Sequence, residues 1–347
     1  MKSVSLGRTG LTVSQIGFGG IPITRRAFED GVAVVRRALD AGITFLDSAN
    51  GYLDSEEKMG RAIVGRRRES LVIASKSPAS TKQGILEHID LSLRRLRTDY
   101  LDLYQLHNLS LAESWEVASG PGGAMEGLQL AVEQGKVRHI GVTSHSLQLT
   151  ETLLATGLLE TVMVPFNMIV HEAAEQILPA ARAKNVGVIA MKPMAGGQLE
   201  EPGLPIRWLC QFPDVQVLVG FEQEEEVDQV VQLAEASEPL TQAELDEIER
   251  MRREMGRLFC RRCGYCQPCP QGIPITNMMV FSSFMRRFGP EVAARRFGAG
   301  FEKVHSCEDC GQCEEKCPYH LPIRERIREV IGVYESIRAG TYKEETK

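Results

Sequence analysis

Residues 71–107, LVIASKSPASTKQGILEHIDLSLRRLRTDYLDLYQLH, contain one complete strand–helix–strand unit. Segments 71–76 and 100–107 are apolar and rich in β-branched residues, and each ends in a polar residue, as expected of buried parallel strands. Between them, apolar residues recur every three or four positions over 81–97, which predicts an amphipathic helix. A parallel strand pair joined by a helix is the building block of α/β proteins, so this unit decides the fold class.

The same alternation continues on both sides of this unit. Eight strands spaced at roughly the 30 residues of a strand–helix–strand unit predict an α/β fold of the (β/α)8 TIM barrel type. A doubly wound sheet is the alternative, and the lack of a GxGxxG turn between a strand and a helix disfavours it. The predicted strands are residues 15–19, 43–47, 71–76, 100–107, 137–142, 161–165, 187–192 and 215–220.

Eight of the nine cysteines form two runs near the end of the sequence, CRRCGYCQPCP at 260–270 and CEDCGQCEEKCP at 307–318. A CxxCxxCxxxCP run is typical of iron–sulfur proteins in which the fourth cysteine ligates the partner cluster. Two [4Fe-4S] clusters are therefore predicted. The shorter last spacing of the first run leaves a single cluster open, and zinc is a further alternative. The crossed ligand sets would be Cys260, Cys263, Cys266 and Cys317 for one cluster, and Cys269, Cys307, Cys310 and Cys313 for the other.

These patterns predict three parts: a barrel over 1–255, a small, mainly helical ferredoxin-like iron–sulfur domain over 256–340, and a flexible tail over 341–347. A helix over 241–255 would end the first part, and residues 281–301 between the cysteine runs are predicted to be helical. The ninth cysteine, Cys210, lies among apolar residues and is interpreted as a packing residue.

Charge is uneven along the chain. Residues 256–347 carry 15 Lys and Arg against 11 Asp and Glu, whereas residues 1–255 carry 25 against 35. This difference favours docking of an acidic ferredoxin- or flavodoxin-type electron carrier, although solvated arginine-rich helices explain it equally well. A nucleic-acid partner is disfavoured, because no base-stacking module accompanies the arginines.

Other sequence features indicate the cellular compartment of the protein. There is no run of 18 apolar residues, so no membrane span is expected. The first residues show neither an apolar signal core nor a cleavage site, and the cysteine spacing does not suggest disulfides. A cytoplasmic protein with reduced thiols is therefore predicted.

Three successive predicted strands end in the polar residues Asp47, Lys76 and His107, and Tyr52 lies five residues beyond the first of them. In a barrel the carboxyl ends of the strands meet at one rim, so these four side chains can converge. A lysine beside a tyrosine lowers the tyrosine pKa, and an aspartate keeps that lysine charged. A nearby histidine can orient a carbonyl group. The four residues together indicate proton donation to a carbonyl oxygen.

The sequence around these residues resembles the aldo-keto reductase family. The likeness lies in FLDSANGY at 45–52, IASK at 73–76 and DLYQLH at 102–107. It also lies in LGRTGLTVS at 6–14, similar to the opening hairpin of the family, and in GKVRHIGV at 135–142. A branch of the family with a C-terminal ferredoxin-like tail is similar throughout.

This resemblance covers about residues 1–235 and implies an enzyme acting on CH–OH or C=O groups. It implies that Tyr52 donates the proton, that Lys76 and Asp47 tune it, and that His107 orients the carbonyl of a small aldehyde, ketone or alcohol. The hydride would come from a nicotinamide cofactor.

The resemblance places cofactor contacts at Thr143, Ser144, Met191 and Gly220. Three of these depart from the family pattern, because the family usually has Ser-Asn where Thr143 and Ser144 stand after strand five, and an aromatic residue where Met191 stands. The acidic run 222–226 follows the last strand and would repel the 2′-phosphate of NADP. NAD(H) is therefore favoured over NADP(H).

Two functions follow from these expectations. The first is a carbonyl or alcohol oxidoreductase whose clusters exchange electrons with a partner, and a flavin is not excluded as the group that couples two-electron and one-electron steps. The alternative is a redox-sensing or regulatory electron-transfer subunit whose barrel no longer turns over efficiently.

Overall fold

The computed structural model describes residues 1–236 and 238–343. It divides into two compact units, Met1–Glu249 and Arg250–Lys347, which are taken in turn. Of the predicted tail over 341–347, residues 344–347 lie outside the described residues.

The first unit is a closed barrel of eight parallel strands, each paired with its neighbours in chain order, and β10 returns to pair with β3. This confirms the predicted (β/α)8 fold. Two short antiparallel strands, β1 and β2, form a hairpin before the barrel. The strands are β1 Ser3–Ser5, β2 Thr12–Ser14, β3 Ile16–Gly19, β4 Phe45–Asp47, β5 Val72–Ser77, β6 Leu101–Leu106, β7 Val137–Thr143, β8 Thr161–Pro165, β9 Gly187–Met191 and β10 Val215–Gly220.

Helices connect the barrel strands. The helix predicted over 81–97 is observed as Lys82–Leu96, because Thr81 accepts the N–H of Gly84 at 3.2 Å and Arg97 takes a left-handed conformation at its end. The helices are α1 Phe28–Asp40, α2 Ser55–Ala62, α3 Lys82–Leu96, α4 Ala112–Ser119, α5 Ala124–Glu133, α6 Leu147–Ala155, α7 Ala173–Gln176, α8 Leu178–Ala183, α9 Gly203–Leu209, α10 Glu224–Glu235 and α11 Gln242–Met255, with 3₁₀ turns at Pro22–Arg25 and Arg68–Ser70.

The hairpin belongs to the hydrophobic core of the barrel. Val4, Leu6 and Val13 cluster with inward-facing strand residues such as Phe45. Gly7 bridges to Val186, which immediately precedes β9, so the hairpin lies at the end where the strands begin. The polar strand-end residues are left at the opposite end.

The second unit is helical and has its own core. Residues 281–301, predicted as helical, form two helices: φ is +87° at Gly289, where the first helix ends, and Pro290 opens the second. Phe301 stacks on Tyr334 with ring centroids 4.1 Å apart. The helices are α12 Ile275–Met279, α13 Phe281–Phe288, α14 Pro290–Val304, α15 Gln312–Glu315 and α16 Ile323–Arg338.

The two cysteine runs lead into the same backbone turn. Pro274 before α12 and Pro322 before α16 have ψ of 71° and 72°. The internal sequence repeat is therefore also a structural repeat. None of the helices in the described ranges is both long and apolar enough to cross a membrane.

Candidate active site and cluster sites

The structure brings the four predicted strand-end residues together. Lys76 on β5 forms an ion pair with Asp47 at the end of β4, and its Nζ also donates to the carbonyl of Ser48 at 2.7 Å. The Tyr52 hydroxyl, on the loop after β4, lies 3.4 Å from Nε2 of His107. Lys76 Nζ is 4.9 Å from the centre of the Tyr52 ring. A phenol, an imidazole and an ammonium group therefore share one small region of the rim.

The ion pair is almost completely buried, with Lys76 3% and Asp47 2% exposed. Burial raises the pKa of Asp47, and the charge of Lys76 opposes this shift. Burial alone would lower the pKa of Lys76, but the charge of Asp47, together with that of Tyr52 when it is ionised, outweighs burial and the net pKa is raised. The lysine therefore stays an ammonium ion next to the phenol.

Backbone and side-chain contacts fix the loop that carries Tyr52. The N–H of Asn50 donates to the carbonyl of Lys76 at 2.9 Å. Arg95 on α3 donates to the carbonyl of Asn50 at 3.0 Å and pairs with Glu57 at 2.8 Å. The phenol is thus carried by a loop tied to a strand and to two helices.

Two buried polar residues near this rim escaped the sequence analysis. Gln105 on β6 donates from Nε2 to Oδ1 of Asp47 at 3.2 Å. Glu56 on α2 is 1% exposed and accepts the hydroxyl of Ser75 at 2.6 Å. The sequence signal that could have identified Gln105 is a polar residue inside an otherwise apolar strand.

The residues predicted to contact a nicotinamide differ in whether a hydroxyl group is available to donate a hydrogen bond. Oγ1 of Thr143 accepts the N–H of Asn108 at 2.7 Å, so its hydroxyl proton remains available as a donor. The Ser144 hydroxyl already donates to the carbonyl of Ser146 at 3.2 Å. Thr143 therefore fits a carboxamide contact better than Ser144 does.

Met191 and Gly220 end β9 and β10 at this same rim. Met191 is half-buried against the barrel core, so it offers an apolar surface but no aromatic ring. A Cβ at Gly220 would lie 2.6 Å from the Pro22 ring, so glycine is required there for the close approach of the next turn.

The start of α10, just beyond β10, is occupied by the chain's own carboxylate. Glu226 Oε2 accepts the N–H groups of Glu222 at 2.6 Å and Gln223 at 3.2 Å. Backbone amides at a helix start are the groups that bind phosphate in nucleotide sites. Here Glu226 takes them in a capping box, which does not fit an added phosphate.

The cysteines of the second unit line two cavities. One has a volume of about 20 Å³ and the other about 130 Å³. Among the residues described, no three His, Cys, Asp or Glu side chains surround a single metal-ion position. The smaller cavity is lined by Cys260, Cys263, Cys266 and Cys317, and the larger by Cys266, Cys269, Cys307, Cys310 and Cys313.

The two cysteine loops share an unusual backbone conformation. Arg262 and Gly264 flank the second cysteine of the first run with φ of 66° and 84°, and Asp309 and Gly311 do so in the second run with 55° and 77°. Left-handed residues of this kind turn N–H groups inward, as anionic iron–sulfur sites require. In the first loop the N–H of Arg262 donates to the sulfur of Cys260 at 3.4 Å. The donor set and the backbone therefore fit clusters.

Burial distinguishes the cysteines further. It raises the pKa of Cys266 to about 12, so a thiolate there needs the positive charge of a metal group. Cys307 and Cys310 are exposed. Cys210 is buried at the end of α9, and burial raises its pKa to about 11, as expected of an unreactive packing residue.

Two family matches account for most of the chain. Residues 15–204, more than half of the sequence, match the aldo/keto reductase family. Residues 259–322 match the 4Fe-4S dicluster domain.

Curated relatives match the barrel region. Aldo-keto reductase YhdN of Bacillus subtilis (strain 168) is 30% identical over 221 residues, covering 57% of this chain and 64% of YhdN. L-galactose dehydrogenase of Arabidopsis thaliana is 30% identical over 230 residues, covering 61% of this chain and 70% of that enzyme. The chain thus spans slightly less than two thirds of YhdN.

Solved structures show the same barrel. Aldo-keto reductase AKR11C1 from Bacillus halodurans in its holo form is 24% identical, with a TM-score of 0.62 over 72% of this chain and 96% of that chain, and shows the fold alone. An aldo-keto reductase from Klebsiella pneumoniae in complex with NADPH is 25% identical, with a TM-score of 0.60 over 72% and 94%.

Proposed function

Since this chain belongs to the aldo/keto reductase family and carries a 4Fe-4S dicluster domain, it is an oxidoreductase, and we propose that it interconverts a small aldehyde or ketone with the matching alcohol. One observation carries the proposal: the Tyr52 hydroxyl lies 3.4 Å from His107 Nε2, next to a buried Lys76–Asp47 pair.

Each residue has a task in this proposal. A carbonyl oxygen that accepts hydrogen bonds from Tyr52 and His107 is polarised, and Tyr52 passes it a proton. The ammonium of Lys76, 4.9 Å from the ring centre, stabilises the phenolate that remains. Asp47 keeps Lys76 charged. When bound, a nicotinamide cofactor supplies the hydride that completes the reduction.

We place the nicotinamide contacts at Thr143, Met191 and Gly220, and we assign NAD(H) rather than NADP(H). The Klebsiella relative is in complex with NADPH, but here three glutamates occupy the first turn of α10 and Glu226 caps it. Arg25, the cation near this turn, is already paired with Glu222. The 2′-phosphate of NADP would therefore meet carboxylates instead of free hydrogen-bond donors.

The eight cysteines of the second unit would hold two clusters in the crossed arrangement. The lining of the smaller cavity supports the set that joins Cys317 to the first run, and the lining of the larger supports the set that joins Cys269 to the second. A bound cluster supplies one-electron transfer. The excess of basic residues after residue 255 supports an acidic electron carrier as the partner.

A redox-sensing subunit without efficient turnover is the second candidate. It is favoured by the Ser144 hydroxyl, which is used within its own loop, and by the Glu226 cap on α10. Both features remove contacts that a tightly held nucleotide would use.

One experiment separates the two functions. Protein purified without oxygen is analysed for iron, sulfide and flavin, titrated with NADH and with NADPH, and assayed with a panel of aldehydes and ketones. Binding of NADH and turnover of a carbonyl compound are expected. Binding of neither nucleotide supports the sensing subunit instead.

The decisive variant is Tyr52→Phe, which keeps the ring and removes the proton donor. Carbonyl turnover should fall by about 100-fold or more, while the iron content stays unchanged. The matched control is Tyr100→Phe, because Tyr100 lies before β6, between Arg68 and Arg138, away from the rim. Full activity in Tyr52→Phe would contradict the assignment.

A further inference from the structure

We propose that Gln105 is a positioning residue that keeps the Asp47 carboxylate ionised and aimed at Lys76. The proposal rests on the function proposed above for these neighbours. Gln105 lies on β6, two residues before His107, and is completely buried.

The two oxygens of Asp47 have different donors. Lys76 pairs with Oδ2, and Nε2 of Gln105 donates to Oδ1 at 3.2 Å. A buried carboxylate needs both the ion pair and the hydrogen bond, because it has lost the water that would otherwise solvate its charge. Gln105 therefore solvates the carboxylate oxygen that the ion pair with Lys76 leaves without a donor.

Asp47 also decides which way the Gln105 amide points. An ionised carboxylate only accepts hydrogen bonds, so the NH₂ group must face it. The other end of the amide, Oε1, is buried and has no hydrogen-bond partner within residues 1–236 and 238–343. A buried acceptor of this kind lowers stability, so an apolar side chain would suit the fold better at this position.

A glycine on the next strand makes room for Gln105. Gly141 on β7 is its register partner. A Cβ at Gly141 would lie 3.2 Å from Cγ of Gln105 and 2.2 Å from Oγ1 of Thr161. A side chain at this position of β7 would therefore clash with Thr161 and crowd Gln105.

The expected pH effect follows from the charges around the pair. Burial raises the pKa of Asp47, while Lys76 and the Gln105 hydrogen bond oppose that rise. Because the site needs the ionised form, activity falls as the pH drops through this pKa. Loss of the Gln105 donor moves the fall to higher pH. The titratable groups around the pair are Lys76 on β5, Tyr52 after β4, His107 after β6 and Glu56 on α2.

The test compares Gln105→Leu with Gln216→Leu in the full-length protein with its clusters. Gln216 on β10 is also buried with an unpartnered Oε1 in the described part of the chain, but it does not contact the four rim residues. In Gln105→Leu the acid limb of kcat should move up by about one pH unit, with KM unchanged. Gln216→Leu should leave the limb in place.

A second measurement separates this inference from the proposed reaction. The carboxyl ¹³C signal of Asp47, assigned by its loss in Asp47→Asn, is titrated in each variant, and Gln105→Met serves if the leucine variant fails to fold. An upward shift confined to the Gln105 variants is expected. An unchanged titration, or equal shifts in Gln105→Leu and Gln216→Leu, overturns the inference. If the wild-type protein turns over no carbonyl compound, the proposed function fails while this titration still decides the role of Gln105.

Discussion

At the scale of single residues, the Asp47–Lys76 pair is buried, unlike an ion pair on the barrel surface. Its two members are 2% and 3% exposed, whereas Asp40 and Arg66 pair at 2.5 Å with 52% and 37% exposed. An exposed pair is screened by water and contributes little to stability. Removing one partner of a buried pair leaves a charge without compensation.

Asp47→Asn should therefore lower the free energy of unfolding by about 3–5 kcal/mol near neutral pH. The loss should shrink as the pH rises, because an unpaired ammonium in a buried site can release its proton. Denaturant unfolding of the barrel checks this, with Asp40→Asn as the control expected to lose less than about 1 kcal/mol. Equal losses in the two variants would contradict a special role for the buried pair.

At the scale of elements, the start of α10 combines two effects in one residue. Glu226 caps the helix through Oε2 and, in the nucleotide position proposed above, also adds a negative charge near the phosphate. Glutamine at this position can still accept the same N–H groups, so the cap and the charge can be separated.

We expect Glu226→Gln to strengthen NADPH binding relative to NADH by about two- to fivefold, since the helix start would lose a repelling charge. The stability of the barrel should change little, because the cap remains. Fluorescence titration with both nucleotides measures the ratio. Glu235→Gln at the other end of α10 is the control, and an unchanged ratio in Glu226→Gln would argue against a phosphate-facing position.

At the scale of the whole molecule, cysteines far apart in sequence lie together in the second unit, Arg250–Lys347. Cys317 lines a cavity with the first cysteine run, and Cys269 lines the other cavity with the second run. The unit also has its own hydrophobic core around Phe281 and Phe301. Each cavity is therefore lined by cysteines of both runs.

The crossed arrangement predicts which cysteine variants behave alike. Cys269→Ala and Cys313→Ala should remove the same cluster, while Cys317→Ala should remove the other, because the fourth ligand comes from the opposite run. Low-temperature EPR spectra and iron content of protein prepared without oxygen test this. If Cys269→Ala instead matched Cys266→Ala, and Cys317→Ala matched Cys313→Ala, the clusters would be held run by run.

Much of the fold could be read from local pattern. The predicted strands 161–165 and 215–220 have the observed bounds, and the other predicted strands overlap the observed ones. Residues 281–301 are helical as predicted apart from Gly289, and Gly289-Pro290 divides them into two helices.

The sequence by itself determined the barrel, the polar strand ends at one rim and the paired cysteine runs, because periodicity and spacing are encoded locally. Only the tertiary structure decided that Gln105, 58 residues after Asp47, donates to its carboxylate, and that Cys317 lies with Cys260. Such contacts depend on strand register, barrel closure and chain crossing. These set distances between side chains that no local pattern records.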